Sequence, residues 1–189
     1  MMLPNLETSR LRLRAHSESD VPDLVRLAGE REIAATTLRI AHPYTEQNAR
    51  DFLAMSQEEN KAWFAIALLS NNRLIGGVGL RIDPEHDHAE IGYWIGVPYW
   101  GHGYATEAAH EVLRYGFEDL NLHRIYAACF SGNAASENIL LKLGMCHEGH
   151  MREHQRKWGE FIDVAAYGIL RSEWQNRSAN EIQSLKKKS

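Results

Sequence analysis

Two cysteines, Cys129 and Cys146, are all that 189 residues contain. That is too few for a disulfide framework and suits two reduced, buried thiols in a cytosolic protein, a single bridge being the alternative. Long hydrophobic runs are missing as well. None approaches the ~20 residues of a membrane span, and the first thirty residues carry Pro4, Glu7, Arg10, Arg12 and Arg14 where a signal peptide would have an apolar core. A cytoplasmic location with no membrane partner is expected. Excess positive charge is also absent: a net charge of −4 and a pI near 6.2 leave no broad basic field for nucleic-acid phosphates, so no nucleic-acid partner is expected. Lys186–Lys188 reads as a solvated tail. With no repeat, linker or low-complexity block, the economical organisation is one α+β domain over 1–177 followed by a polar, frayed tail, 178–189. What is present, 44% hydrophobic and 24% charged residues, is ordinary for a soluble globule.

Periodicity places the elements. Arg10–Arg14 alternates strictly, putting Leu11 and Leu13 on one face of a strand. Ser17 with Asp20 three positions on looks like a helix start, and Val21, Leu24, Val25 and Ala28 carry that helix to about Gly29. Arg31–Tyr44 has weak periodicity and reads as a short helix plus irregular loop able to shape an acceptor pocket. Thr45 caps a helix with Ala49, Phe52, Leu53 and Ser56 on one side. Lys61–Leu69 and Arg73–Ile82 form a hairpin about Asn71-Asn72. After the turn cluster 83–87, His88–Val97 alternates with Ala89, Ile91, Tyr93, Ile95 and Val97 on one face. A helix from Gly103 to Gly116 crosses over to Arg124–Phe130, which should lie parallel to His88–Val97. Asn133 caps a helix stopped by Gly144. Met145–Met151 and Phe161–Leu170 are the last strands, followed by a helical turn at Arg171–Trp174.

The segment Trp100-Gly101-His102-Gly103-Tyr104-Ala105-Thr106 joins a strand end to a helix start. First-turn amides have no partner inside the helix, and with the helix dipole they make a site for phosphate oxygens. Gly101 and Gly103 let the backbone approach such an anion.

These residues and their neighbours resemble the GCN5-related N-acetyltransferase superfamily, in particular its RimJ/RimL-like branch, which acetylates ribosomal-protein N-termini. The likeness runs through Thr8–Arg14, Ile75-Gly76-Gly77-Val78-Gly79-Leu80, Ala89-Glu90-Ile91-Gly92-Tyr93-Trp94-Ile95 and Tyr99–Ala108. It continues through Asn133-Ala134-Ala135-Ser136, Lys142-Leu143-Gly144-Met145, Asp163 and Tyr167. The resemblance implies a central mixed, mostly antiparallel sheet flanked by helices, with two splayed parallel strands holding acetyl-CoA. It implies that the backbone of Ile95, Gly96 and Val97 meets the pantetheine arm, that an amide near this strand end meets the oxyanion, and that the amides of Gly101, His102, Gly103, Tyr104, Ala105 and Thr106 surround the pyrophosphate. Asn133, Asn138 and Lys142 are further CoA contacts on the same ground. Trp100 stands where the superfamily has Gln or Arg, so a side-chain contribution is lost there while the backbone cradle is kept.

Acyl transfer to an amine needs a base, stabilisation of the oxyanion and a proton for the departing thiolate. Glu90 is the first candidate for the base, with Gly92 and Gly96 leaving room for a ligand beside it; His88, on the same face, is a rival, and a salt-bridged strand carboxylate is the structural alternative. The superfamily's acid tyrosine is replaced by Leu140, and the branch offers Ser136 instead, able to donate or relay a proton. Ser136 and Asn133 are equally explained as helix-start residues. Asp163 either orients an acceptor ammonium or forms an edge-strand salt bridge. No metal is expected, because neither cysteine completes a familiar spacing with His86 and His88 or with His147, His150 and His154. The acceptor is a protein N-terminus or a small amine, its side of the site set by loops Arg31–Tyr44 and His150–Glu160. Monomer and homodimer are both compatible. Transfer of another acyl group, or an acyl-CoA-binding sensor without turnover, are the alternative functions.

Overall fold

The computed structural model describes residues 3–177; the tail 178–189 lies outside them. Among the described residues eight strands form one sheet: β1 (Leu6–Glu7), β2 (Leu11–Ala15), β3 (Lys61–Leu68), β4 (Leu74–Asp83), β5 (His88–Ile95), β6 (Arg124–Phe130), β7 (Cys146–Lys157) and β8 (Glu160–Leu170). Their order is β1-β2-β3-β4-β5-β6-β8-β7, and β5–β6 is the parallel pair in an otherwise antiparallel sheet. The helices are α1 (Val21–Ala28), α2 (Arg31–Thr36), α3 (Glu46–Ser56), α4 (Tyr104–Arg114) and α5 (Ala134–Lys142), with a further helical segment at 171–177.

Alternation in the strands sends apolar side chains to both faces, and each face finds its own helical cover. Leu13, Ile75, Val78, Leu80 and Ile91 pack with Ala108, Val112 and Leu113 of α4. Ala65 and Leu74 pack with Val21 and Leu24 of α1 and Ala49 and Leu53 of α3. The caps form as the spacing demands. The Ser17 amide donates to the Asp20 carboxylate at 2.8 Å, and the Asn48 amide donates to Thr45 Oγ1 at 3.2 Å. Gly144, at φ +86°, closes α5 with bonds from Gly144 N–H to Leu141 O and from Met145 N–H to Leu140 O.

Several expectations are corrected. The edge strand Leu6–Glu7 was too short to carry a periodic signal. The strand from His88 ends at Ile95, and Val97 begins a short 3-10 turn, because Pro98 cannot continue a ladder. α4 runs on past Gly116 through one wide turn, closed by Leu120 N–H to Tyr115 O at 3.0 Å. The segment 150–157 is a strand rather than a loop: β7 reaches Lys157, with register shifts at 147–149 and 151–155 that blur its alternation. β8, which carries Asp163, is an interior strand. Both cysteines are free, but only Cys129 is buried.

Candidate active site

The parallel pair opens into a cleft. β5 and β6 are in register only at His88↔Arg124, Ala89↔Ile125 and Glu90↔Tyr126. Beyond Glu90, β5 stays with β4 as far as Ile95↔Gly76, while β6 follows β8 to Phe130↔Val164. The strands therefore part at Glu90 and leave a wedge bounded by Ile91–Ile95 on one side and Ala127–Phe130 on the other.

At the end of β5 stands the turn 100–103. Gly101 and Gly103 have φ of +77° and +78°, a left-handed conformation that costs other residues about 1–2 kcal/mol. Neither glycine is there for lack of space: a Cβ on Gly101 would meet nothing, and on Gly103 only the tip of Arg10 at 3.7 Å. The first helical bond runs from Glu107 N–H to Gly103 O, 3.0 Å, so the amides of Tyr104, Ala105 and Thr106 have no partner within the helix. Arg10, which the motif reading had not given a role here, braces this turn. Its guanidinium donates to His102 O (3.0 Å) and to Glu107 (2.7 Å) and lies 4.6 Å from the centre of the Tyr104 ring. Glu107 also accepts from Thr8 Oγ1 at 2.6 Å and Ser9 Oγ at 3.0 Å. The resembling stretch Thr8–Arg10 thus anchors the helix start. Lys142 lines the same depression as Gly103 and Thr106; Asn138 is exposed and does not line it.

Two of the backbone groups at the strand end are engaged. Trp100 Nε1–H donates to Ile95 O at 2.5 Å, and the Val97 amide donates to the Glu30 carboxylate at 3.1 Å. Gly96 N–H is bonded into the sheet, to Ile75 O at 2.9 Å. The space directly over Gly92 and Gly96 is taken by side chains, while Gly92 still lines the same cavity as Glu90. A Cβ at Gly92 would lie 3.1 Å from the Trp63 ring, and one at Gly96 2.7 Å from Leu27.

A cavity of about 500 Å³ opens from the wedge toward α3 and the 36–41 segment. Glu90, Tyr93, Cys129, Ser136 and Leu140 are among the residues that line it. Ser136 Oγ lies 2.9 Å from Tyr93 Oη, so a tyrosine from β5 reaches the serine that starts α5. Asn133 Oδ1 accepts the Ser136 amide at 3.2 Å, and Asn133 Nδ2 reaches Thr36 O at 3.4 Å. Asn133 is thus both helix cap and tie to the 36–41 segment. Burial pushes the Tyr93 phenol up, against a lowering by its bond to Ser136, and pushes the Cys129 thiol up to about 11. Both keep their protons at neutral pH. The sequence marks Tyr93 as a sheet-core or pocket-wall aromatic; no spacing signals a hydroxyl that meets its partner across a sheet gap.

Glu90 is 11% exposed and held by two guanidiniums, Arg81 from β4 and Arg39 at 3.2–3.3 Å from the segment after α2. His88 faces away toward the hairpin end, 5.4 Å from Tyr126. There His86 and His88 each approach Asp83 at 3.3 Å, so one of the two discounted histidine groups does converge, with a carboxylate rather than a cysteine as its third member. Asp163 accepts from the Glu153 amide (2.7 Å) and His150 (2.8 Å) within the β7–β8 hairpin. The two acceptor-side segments meet: Lys157 Nζ donates to Thr37 O and Ile40 O, both at 3.0 Å.

Sequence and structure comparisons agree with this geometry. The family model described as "Acetyltransferase (GNAT) domain" matches residues 10–146, and the chain belongs to that family. The N-acetyltransferase p20 of Bacillus licheniformis is 34% identical over 91% of this chain and 99% of its own length. The structure of spermidine N-acetyltransferase from Vibrio cholerae in complex with CoA and spermine superposes with a TM-score of 0.79 at 27% identity, covering 89% of this chain and 99% of that one. RimL, the ribosomal L7/L12 α-N-protein acetyltransferase in complex with coenzyme A, shares the fold at a TM-score of 0.80 and 20% identity, over 88% and 98% of the two chains.

Proposed function

We propose that this protein moves an acetyl group from acetyl-CoA directly to a primary amine. One observation carries the reading: β5 and β6 part at Glu90 beside a helix start whose free amides follow a left-handed glycine. The residues fit CoA. The amides of Tyr104, Ala105 and Thr106, with those of Gly101, His102 and Gly103, would hold the pyrophosphate, and the wedge edge at Ile95–Val97 would receive the pantetheine arm. That edge must first exchange its Trp100 and Glu30 contacts.

When bound, acetyl-CoA supplies an activated thioester. The chain's own groups then divide the proton work. The acceptor nitrogen forms its bond to the acetyl carbon as the carbon–sulfur bond breaks, and its proton passes to Glu90, directly or through water. Ser136 Oγ gives a proton to the departing sulfur and recovers one from Tyr93 Oη across 2.9 Å, and Tyr93 is reprotonated through solvent as Glu90 sheds the proton taken from the amine. Asn133 positions Ser136 through the helix cap. Cys129 lies close by as a neutral thiol, which supports direct transfer over an acyl-cysteine intermediate. Two arginines occupy the Glu90 carboxylate. Its role therefore depends on the acceptor amine displacing Arg39, the more distant partner.

The acceptor is a protein N-terminus or a small amine; the first draws on the RimL-like motifs, the second on the likeness to a polyamine enzyme. Release of CoA thiol across a panel of amines and N-terminal peptides tests the transferase reading, with wild type and Glu90→Gln compared. Acceptor-dependent release that falls in the variant is expected. CoA binding without release by any acceptor would instead make the protein an acyl-CoA sensor.

A further inference from the structure

We infer that the acceptor is a compact amine carried on a flat apolar body, of the arylalkylamine type, rather than a polyamine or a protein N-terminus. The inference rests on the transferase reading and deepens it. Its first support is the floor of the cavity. The indole of Trp63 lies across Gly79 and Gly92, where a Cβ would stand 2.6 Å and 3.1 Å from the ring, and the indole of Trp94 lies over Gly77 at 2.8 Å. Glycines at alternate positions of neighbouring strands thus let two tryptophans lie flat on the sheet. Phe52 of α3 stands edge-on to Trp63, with ring centres 6.3 Å apart, and Tyr44 and Met55 continue the apolar wall. Such a surface gains most from a ring stacked on it or packed edge-on.

Charge gives the second support. The lining holds two carboxylates, Asp51 and Glu90, against one cation, Arg39. Glu90 is already paired with Arg39 and Arg81, and Asp51 accepts from Gln47 at 2.8 Å. With Arg81 counted beside Arg39, two carboxylates face two guanidiniums, so a chain of several ammonium groups would find no surplus of negative charge. One ammonium can be accommodated, at Glu90, by displacing Arg39. The third support is the roof. Segment 36–41 is tied down by Lys157 to Thr37 O and Ile40 O, by Asn133 to Thr36 O and by Arg39 to Glu90. A cavity of about 500 Å³ under a pinned roof has the size of a small-molecule site and must also admit the thioester end. A peptide would require the roof to open.

The test uses the full chain saturated with CoA or acetyl-CoA and three probes: phenethylamine, spermidine and a hexapeptide with a free N-terminus. Calorimetry reads binding, and thiol release reads turnover. The expected result is a kcat/KM for phenethylamine at least tenfold above the other two. Phe52→Ala and Trp63→Leu should each raise its KM about tenfold with CoA affinity unchanged. Retained CoA affinity shows that these variants are folded. Preference for spermidine or the peptide would overturn the inference while leaving the transferase reading standing. Phenethylamine that binds, loses affinity in both variants and yet is never acetylated would support the site and defeat the transferase reading. Absence of binding by phenethylamine would overturn the inference whatever the turnover of the others.

Discussion

The donor side and the acceptor side of the wedge are built by different means. On the proposed donor side the groups assigned to CoA are backbone amides at the start of α4, and the side chains around them, Arg10 and Glu107, hold that backbone in place. On the proposed acceptor side the groups are five side chains from four separated places: Arg39, Phe52, Trp63, and Glu90 and Trp94 of β5. A backbone site tolerates change in everything except conformation. A side-chain site changes its ligand with any one substitution, which is why one fold serves many acceptors.

The sharpest way to separate the two sides is to remove the group between them. Ser136→Ala should lower kcat about 100-fold, within the range of general acid–base contributions, with CoA affinity unchanged. Tyr93→Phe should produce a smaller fall in kcat, since Ser136 would lose its proton source. Equal loss of CoA affinity in Ser136→Ala would assign the serine to donor binding instead.

A second break lies under the acceptor layer. His16 is buried edge-on against Phe52, 4.9 Å between ring centres, beside the Arg14–Asp20 ion pair. The backbone of Phe64 lies close, but neither ring nitrogen completes a hydrogen bond. Burial drives its pKa from the usual 6.5 down to about 4, Asp20 opposing and Arg14 assisting the shift. The folded state therefore resists the proton that the unfolded chain accepts. Stability is fully present above pH 6.5 and falls as the pH drops toward 4, by about 3 kcal/mol at most. Denaturant midpoints across that range should show the decline in wild type and a flatter profile in His16→Leu. An unchanged slope in the variant would transfer the effect to other groups.

The contrast between the sides also explains what the sequence made legible. The glycine turn, the helix starts at Thr45 and Asn133 and the stop at Gly144 are local: each depends on residues within four positions of one another, so spacing reveals them. The parting of β5 from β6 appears only through family likeness, because nothing in His88–Ile95 records where its neighbour leaves. Tyr93 meeting Ser136, Arg39 meeting Glu90 and Lys157 meeting the 37–40 carbonyls join residues 43, 51 and 117–120 positions apart. No periodicity encodes such pairs. The hairpin 157–160 was hidden for a different reason: its turn places Trp158, at φ +51°, where Asn or Gly is usual, and two register shifts break the alternation before it. The glycines at 79 and 92 were visible, yet their purpose, seating an indole, depended on strand register.

On the donor side, Gly103→Val should cost about 1–2 kcal/mol in the left-handed position, read as a roughly tenfold or greater loss of CoA affinity, while acceptor binding by calorimetry stays close to wild type. Wild-type affinity in this variant would remove the turn from the donor site.

The smallest effect has the opposite sign. The Glu30 carboxylate occupies the Val97 amide at 3.1 Å, on the edge proposed for the pantetheine arm. A bound arm must take that amide from a charged acceptor. Glu30→Ala leaves the amide to water, a weaker competitor, so the exchange costs less by about 1 kcal/mol, roughly the net worth of one hydrogen bond. CoA affinity should then rise a few-fold, and affinity for truncated CoA lacking the pantetheine arm should not change. A fall in CoA affinity would mean that Glu30 supports the strand end in the shape the arm needs, and that on this edge even the donor side relies on a side chain.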